Sequence, residues 1–272
     1  MKLSASEKTR LKKRYGPWAV VTGASSGIGL EIAGQLASAG IHLLLHARRE
    51  ETLRAIAHDF HRKHGIQTRL VASDASTPAG VSAIVEAAKN MDVGLFVGSA
   101  GFGTSGLFVE SSLEEEINML RVNCEAILSL THHFSNVFVR QRRGGIILMS
   151  SLVGFQGVPY AASYAATKAY VQSLAEALSV ELKPMGVDVL AAAPGPVASG
   201  FGERANLKMD VSLKPEQVGV PILRALGRKS TVLPGFLTKF LVGSLRTVPR
   251  WGKVRIMKMV MGGMTKHQRA IA

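Results

Sequence analysis

Cysteine is almost missing from this chain: Cys124 is the only one among 272 residues. An internal disulfide is therefore excluded, a reducing compartment fits, and Cys124 reads as a small buried hydrophobe rather than a reactive thiol. Acidic residues are missing after Glu216, where 11 basic ones fall. Residues 144–167 lack charge altogether, a stretch of 24 positions. Its length invites a membrane span, yet Gly144, Gly145, Gly154, Gly157 and Pro159 would leave backbone groups unpaired in lipid, and a span is rejected. The first 15 residues are basic but have no apolar run of the kind a secretory signal needs. A cytoplasmic protein is expected.

The length and the 47% apolar composition are sufficient for one α/β domain with a sizeable core. The net charge of +14 is unevenly placed: residues 1–15 carry +5, residues 16–216 carry −2, and the remaining excess follows Glu216. This divides the chain into a basic N-terminal arm (1–15), whose first dozen or so residues read as disordered, a near-neutral domain (16–235) and a basic amphipathic extension (236–272).

Short apolar runs alternate with helical stretches, the pattern of a parallel sheet covered by helices on both faces. Strands are expected at 18–22, 41–46, 67–73, 93–98, 145–150, 187–193 and 231–234. Helices are expected near 28–38, 50–64, 79–90, 112–141, 161–183 and 215–228. The fold class is α/β, a doubly wound parallel sheet. Ligands bind beyond the carboxyl ends of strands in such sheets, where Thr22, Ala47, Asp74, Gly98 and Ser150 fall.

The turn after the first strand reads Thr22-Gly23-Ala24-Ser25-Ser26-Gly27-Ile28-Gly29. Gly23 permits a sharp turn, and Gly27 and Gly29 leave room for a pyrophosphate to approach the backbone and the helix N-terminus behind it. An acid at the end of the second strand would accept hydrogen bonds from a ribose 2′-hydroxyl; Arg48 and Arg49 stand there instead and favour a 2′-phosphate, with Ser25 placed to help. NADP(H) is the expected cofactor.

A Tyr-x-x-x-Lys pair alone turns up by chance in roughly half of chains this long. Here Tyr164 and Lys168 follow Ser151 by 13 residues and the glycine turn by many more. Four apart on a helix, both side chains share a face, so an ammonium can lie beneath the phenol and lower its pKa from about 10 toward neutrality. Ser151 and a dinucleotide on the glycine turn would complete a hydride-transfer site.

Together these motifs, in this order, resemble the short-chain dehydrogenase/reductase family over roughly residues 16–235. The resemblance implies a Rossmann-like fold and a catalytic set of Ser151, Tyr164 and Lys168. It implies that Asn123 ties a relay water to the lysine, that Asp74 and Ala75 contact adenine, and that Pro194 to Val197 with Ser199 meet the nicotinamide carboxamide. It also implies a homodimer or homotetramer. The family's Asn-Asn-Ala-Gly reads Gly98-Ser99-Ala100-Gly101 here, so close approach to the cofactor at Ala100 and Gly101 survives while the asparagine brace does not.

Residues 152–159 and Phe102 read as an apolar wall suited to a lipophilic ketone, whether ketoacyl, steroid-like or long-chain, and residues 198–214 read as a mobile lid. The reverse, alcohol-oxidising reaction is the runner-up, and a low-turnover dinucleotide-sensing or lipid-surface protein the alternative class. His58, His61 and His64 read as a solvated helix face, with no metal site expected. In the extension, Leu233, Phe236, Leu237, Phe240, Leu241 and Leu245 recur at helical spacing with Lys239 and Arg246 off that stripe. A lid or dimer element is the first expectation for it, a peripheral contact with anionic membrane the second, and nucleic acid a distant third.

Overall fold

The computed structural model describes residues 1–209, 211–245 and 247–268, with Leu237 described by its backbone alone. Arg246 of the tail pattern lies outside the described residues. Trp18–Thr22 (β1), His42–Ala47 (β2), Thr68–Ala72 (β3), Val93–Gly98 (β4), Gly144–Met149 (β5), Val187–Ala192 (β6) and Thr231–Val232 (β7) form one parallel sheet in the order β3-β2-β1-β4-β5-β6-β7. The central strands β4, β5 and β6 are buried along their whole length, as near-continuous apolar runs covered on both faces must be. Thr22 is in register with His46 on one side and Gly98 on the other. Strand order reverses at β1, so the crevice for a ligand opens beside its carboxyl end.

One face of the sheet packs against Gly27–Ser38 (α2), Glu50–His64 (α3) and Glu216–Ala225 (α9), the other against Pro78–Ala88 (α4), Ala126–Gln141 (α6) and Ala162–Glu181 (α7). The N-terminal segment differs from the expected disordered arm. Ala5–Tyr15 is a helix (α1) started by a capping box, in which Glu7 N–H donates to Ser4 Oγ at 3.3 Å and Ser4 N–H to Glu7 Oε2 at 2.7 Å. Its bases hid the anchors beneath: Leu11 and Tyr15 are fully buried.

The expected helix over 112–141 is interrupted. Leu113–Leu120 (α5) passes into α6 through a π-helical turn at Arg121–Glu125, a feature often found at functional sites. Beyond β7 the extension forms two helices, Phe236–Ser244 (α10) and Arg250–Met264 (α11). Met257 and Met261 of α11 pack with Val158, Ala161 and Ala165 in a small separate cluster. The segment expected to be a lid contains a short helix at Phe201–Arg204 (α8) and is tied back where Val197 bridges Leu213. No described helix is long and apolar enough to cross a membrane.

Candidate active site

The glycine turn is built for close approach. Gly23 and Gly27 have φ of 67° and 57°, in the left-handed region. A Cβ on Gly23 would lie 2.8 Å from Ala100 N, and one on Gly29 would collide with the Gly23 carbonyl oxygen. Helix α2 then starts at Ser26 with no side-chain cap and no acid in its first turn, leaving N–H groups and positive dipole for an anion. The loop after β4 is braced by Thr22, whose hydroxyl accepts from Ser99 N at 3.1 Å and Ala100 N at 3.2 Å. A hydroxyl on β1 thus holds the loop that lacks the family's asparagine.

Ser151 lies two residues beyond β5 and caps a short 3₁₀ turn; its Oγ makes long bonds, 3.4 Å to Pro194 O and 3.4 Å from Val153 N. Tyr164 sits in the first turn of α7, near enough to Ser151 for that hydroxyl to lower the phenol's pKa. Lys168 donates to Met149 O at 2.9 Å, with its ammonium 5.7 Å from the Tyr164 ring centroid. A Cβ on Gly101 would come 2.9 Å from Asn123 Oδ1 and 3.4 Å from Lys168 Nζ, so the glycine makes room for the asparagine beside the lysine.

Burial, not charge, dominates the electrostatics, and this corrects the expected tuning. Burial pushes the Tyr164 phenol above its ordinary range, offset only partly by the Ser151 hydroxyl, and Lys168 is not among the groups that lower it. Burial also pulls Lys168 down from 10.5 to about 8. The pair therefore holds a proton-loaded phenol beside a weakly basic amine. Cys124 is half-buried and its thiol is pushed up by burial, as expected of a packing residue.

The Asn123 side chain, beside Gly101 as Lys168 is, is fully engaged by its neighbours. Its Oδ1 accepts from Phe102 N at 3.1 Å, and its Nδ2 donates to Phe102 O at 2.8 Å and Thr167 Oγ1 at 3.1 Å. The side chain clamps the chain after Gly101 to α7, and the π-helical turn aims it there. Asp74 is ionised, lowered chiefly by the Ser76 N–H it accepts from at 2.9 Å and to a lesser degree by Arg48 and Arg204.

One cavity of about 1080 Å³ joins these parts. It is bordered by Gly23, Ser25, Ser26, Gly27, Ile28, Gly29, Arg48, Arg49, Asp74, Ala75, Ala100, Gly101, Ser151, Tyr164, Lys168, Pro194, Val197 and Ser199, which is every expected site residue except Asn123. The expected wall over 152–159 is only partly there: Leu152, Val153 and Phe102 border the cavity, whereas Val158 is buried against α11 and the Gln156 side chain bonds Leu152 O. The rest of the wall comes from residues that gave no motif. Phe201 lies 5.2 Å from the Tyr164 ring, Arg204 stacks 3.8 Å over Phe102, and Leu241, Leu245, Met257 and Met264 close the far side. Helical spacing of apolar residues in the tail points to Leu241 and Leu245 among them, and the expected lid over 198–214 holds Phe201 and Arg204.

The chain belongs to the short chain dehydrogenase family, whose pattern it matches over residues 17–210. It is 28% identical over 232 residues to a 7beta-hydroxysteroid dehydrogenase of Collinsella aerofaciens, a match covering 83% of this chain and 88% of that one. It is 30% identical over 260 residues to a very-long-chain 3-oxoacyl-CoA reductase of Debaryomyces hansenii, covering 92% of this chain and 72% of the relative. Among solved structures, a short-chain dehydrogenase from Sphingobium yanoikuyae in complex with NADPH superposes with a TM-score of 0.76 at 25% identity, covering 91% of this chain and 96% of the other. Carbonyl–alcohol oxidoreduction is the activity class.

Proposed function

We propose that the protein reduces a carbonyl on a hydrophobic substrate, a ketoacyl, steroid-like or long-chain ketone, to the alcohol with NADPH. The observation that carries this reading is the single cavity, which runs from Arg48 and Arg49 past Ser151, Tyr164 and Lys168 to an apolar wall. Its size is ample for a dinucleotide and a lipophilic partner, since drug-sized ligand pockets span roughly 300–1,000 Å³. The steroid and long-chain acyl substrates named for the relatives agree with such a wall. The NADPH of the Sphingobium neighbour agrees with the two arginines.

Arg48, Arg49 and Ser25 would hold the 2′-phosphate, the first turn of α2 with Ser26, Ile28 and the three glycines the pyrophosphate, and Asp74 and Ala75 the adenine. Tyr164 and Lys168 would hold the nicotinamide ribose, and Pro194, Val197 and Ser199 the carboxamide. NADPH, when bound, supplies the hydride. Ser151 Oγ, barely engaged at rest, donates to the substrate carbonyl oxygen and fixes it against Tyr164. Tyr164, kept protonated by burial, gives its proton to that oxygen as general acid. Lys168, fixed by Met149 O, still bears its charge at pH 7 and would donate to the nicotinamide ribose. A proton-loaded phenol favours reduction; oxidation needs the phenolate, which burial opposes. Asn123 positions rather than reacts, by holding Phe102 to α7. The reading includes a cytoplasmic homodimer or homotetramer with peripheral membrane contact.

NADPH consumption against a panel of water-soluble and lipophilic ketones tests this. Turnover that rises with substrate lipophilicity, and disappears in Tyr164→Phe while NADPH binding persists, is expected. Equal turnover in that variant overturns the assignment.

A further inference from the structure

The two helices of the extension present different faces inward and outward. Inward, Leu241 of α10, Leu245 just after it, and Met257 and Met261 of α11 border the cavity. Outward, Phe236 and Phe240 are 84% and 60% exposed, Trp251 65% and Met259 72%. Large apolar groups are seldom left in water at this density on so short a segment. Phe236 and Phe240 stand with ring centroids 6.4 Å apart, and Arg255 lies 5.0 Å over the Trp251 ring.

The charge carried by these two helices has one sign. Lys239, Arg250, Arg255 and Lys258 are all exposed, and the sequence holds no acid beyond Glu216. The mouth of the cavity adjoins it, since Val260, next to Met259, borders the cavity while remaining 44% exposed.

We infer that α10 and α11 form a docking face for an anionic bilayer, with the exposed rings and Met259 in the interface and the bases on lipid headgroups, so that lipophilic substrate enters the cavity directly from the membrane. Basic, aromatic-bearing interfacial helices bind in this way, by apolar burial plus attraction to anionic lipid. Charge complementarity favours a membrane over a second copy of this strongly basic chain. Aliphatic groups exposed beside the rings, Met259 and Val260, favour it over nucleic acid, which would stack on rings alone. The entry route rests on the proposed ketone chemistry, whereas the docking does not.

The test is flotation of the full chain with phosphatidylcholine vesicles, with and without phosphatidylserine, and with Arg255→Glu/Lys258→Glu and Phe240→Ser/Trp251→Ser variants. None of these four residues borders the cavity. The wild type is expected to float with anionic vesicles at low salt, the charge-reversed variant to partition at least about thirtyfold less, and both variants to keep wild-type turnover of a water-soluble ketone. Turnover of a ketone dissolved in the vesicles should fall with partitioning. Wild type that stays soluble with anionic vesicles overturns the docking, as does equal flotation of the charge-reversed variant. Dissociation of an oligomer by the Phe240→Ser/Trp251→Ser variant, with flotation unchanged, also overturns it. Anionic flotation without turnover of any ketone sustains the docking and rejects the ketone chemistry alone.

Discussion

The Lys168 ammonium stands 5.7 Å from the Tyr164 ring centroid while giving its hydrogen bond to Met149 O at 2.9 Å. The lysine is therefore fixed by the carboxyl end of β5, not by the phenol, and the α7 turn carries the ring over it. Lys168 is only 6% exposed, and that burial pulls its pKa to about 8. Keeping a cation there costs roughly 3 kcal/mol at neutral pH, by the free energy of a shift of this size.

That cost predicts a pH profile for the stability of the cofactor-free protein. The unfolded chain binds the lysine proton up to about pH 10 while the folded chain releases it near 8, so stability rises with pH between these values. Above about pH 10 the trend reverses, because burial keeps Tyr15 and Tyr164 protonated in the folded state. In Lys168→Met the rise should vanish. Thermal melts of both proteins from pH 7 to 10 check this, and a rise that persists in the variant rejects the burial account.

Arg48 and Arg49 follow β2 directly and border the cavity, at the place where an acid would serve a ribose hydroxyl. Each charged hydrogen bond is worth about 1.5–3 kcal/mol, so Arg48→Ala should raise the NADPH Kd by roughly 10- to 150-fold. The NADH Kd should hardly move. Fluorescence titration with the two nucleotides measures both, and an equal loss for each would show that Arg48 does not read the phosphate.

Thr22→Val removes the hydroxyl that braces Ser99 and Ala100 while preserving shape. Two backbone donors lose their acceptor, at about 1–3 kcal/mol for each that stays buried. Unfolding in urea should show a loss of about 2 kcal/mol, with weaker binding of either nucleotide. Restoring the family residue in the double variant Thr22→Val/Ser99→Asn should recover part of both.

The sheet was legible because its signals are local. Apolar runs of strand length, separated by helical stretches, give β1 to β6 within a residue or two, and Thr22, Ala47 and Gly98 end their strands as expected. The glycine turn and the Tyr164–Lys168 spacing were legible for the same reason, since each concerns a few adjacent residues. What escaped depends on contacts across the chain. The Tyr15 hydroxyl meets Asp188 across 173 positions, so nothing near residue 15 shows that the basic arm is an anchored helix. Phe201, Arg204 and α11 reach the site through tertiary packing of segments that carry no motif. The pKa of Tyr164 was misjudged because spacing reports which groups are neighbours, while burial, which decides here, is a property of the whole fold.

Asp188 is the anchor for that arm. It accepts from Tyr15 Oη at 2.8 Å, Arg14 Nε at 2.7 Å and Lys183 Nζ at 2.7 Å. Burial alone would raise its pKa, but the bonds from Lys183 and Tyr15 and the charge of Arg14 win and lower it. Its stabilising effect is therefore present above pH 4 and lost as pH falls through the depressed folded value. Asp188→Asn leaves Arg14 and Lys183 free to turn into water, being half-exposed, but strands the fully buried Tyr15 hydroxyl against a poorer acceptor. A loss of about 2–3 kcal/mol is expected, less than the full cost of breaking a wholly buried pair. In the variant α1 should exchange its amide hydrogens faster while ketone turnover at low temperature is retained. If hydrogen exchange in residues 5–15 is unchanged, the helix is held by Leu11 and the Glu7–Arg224 pair instead, whose atoms lie 2.5 Å apart.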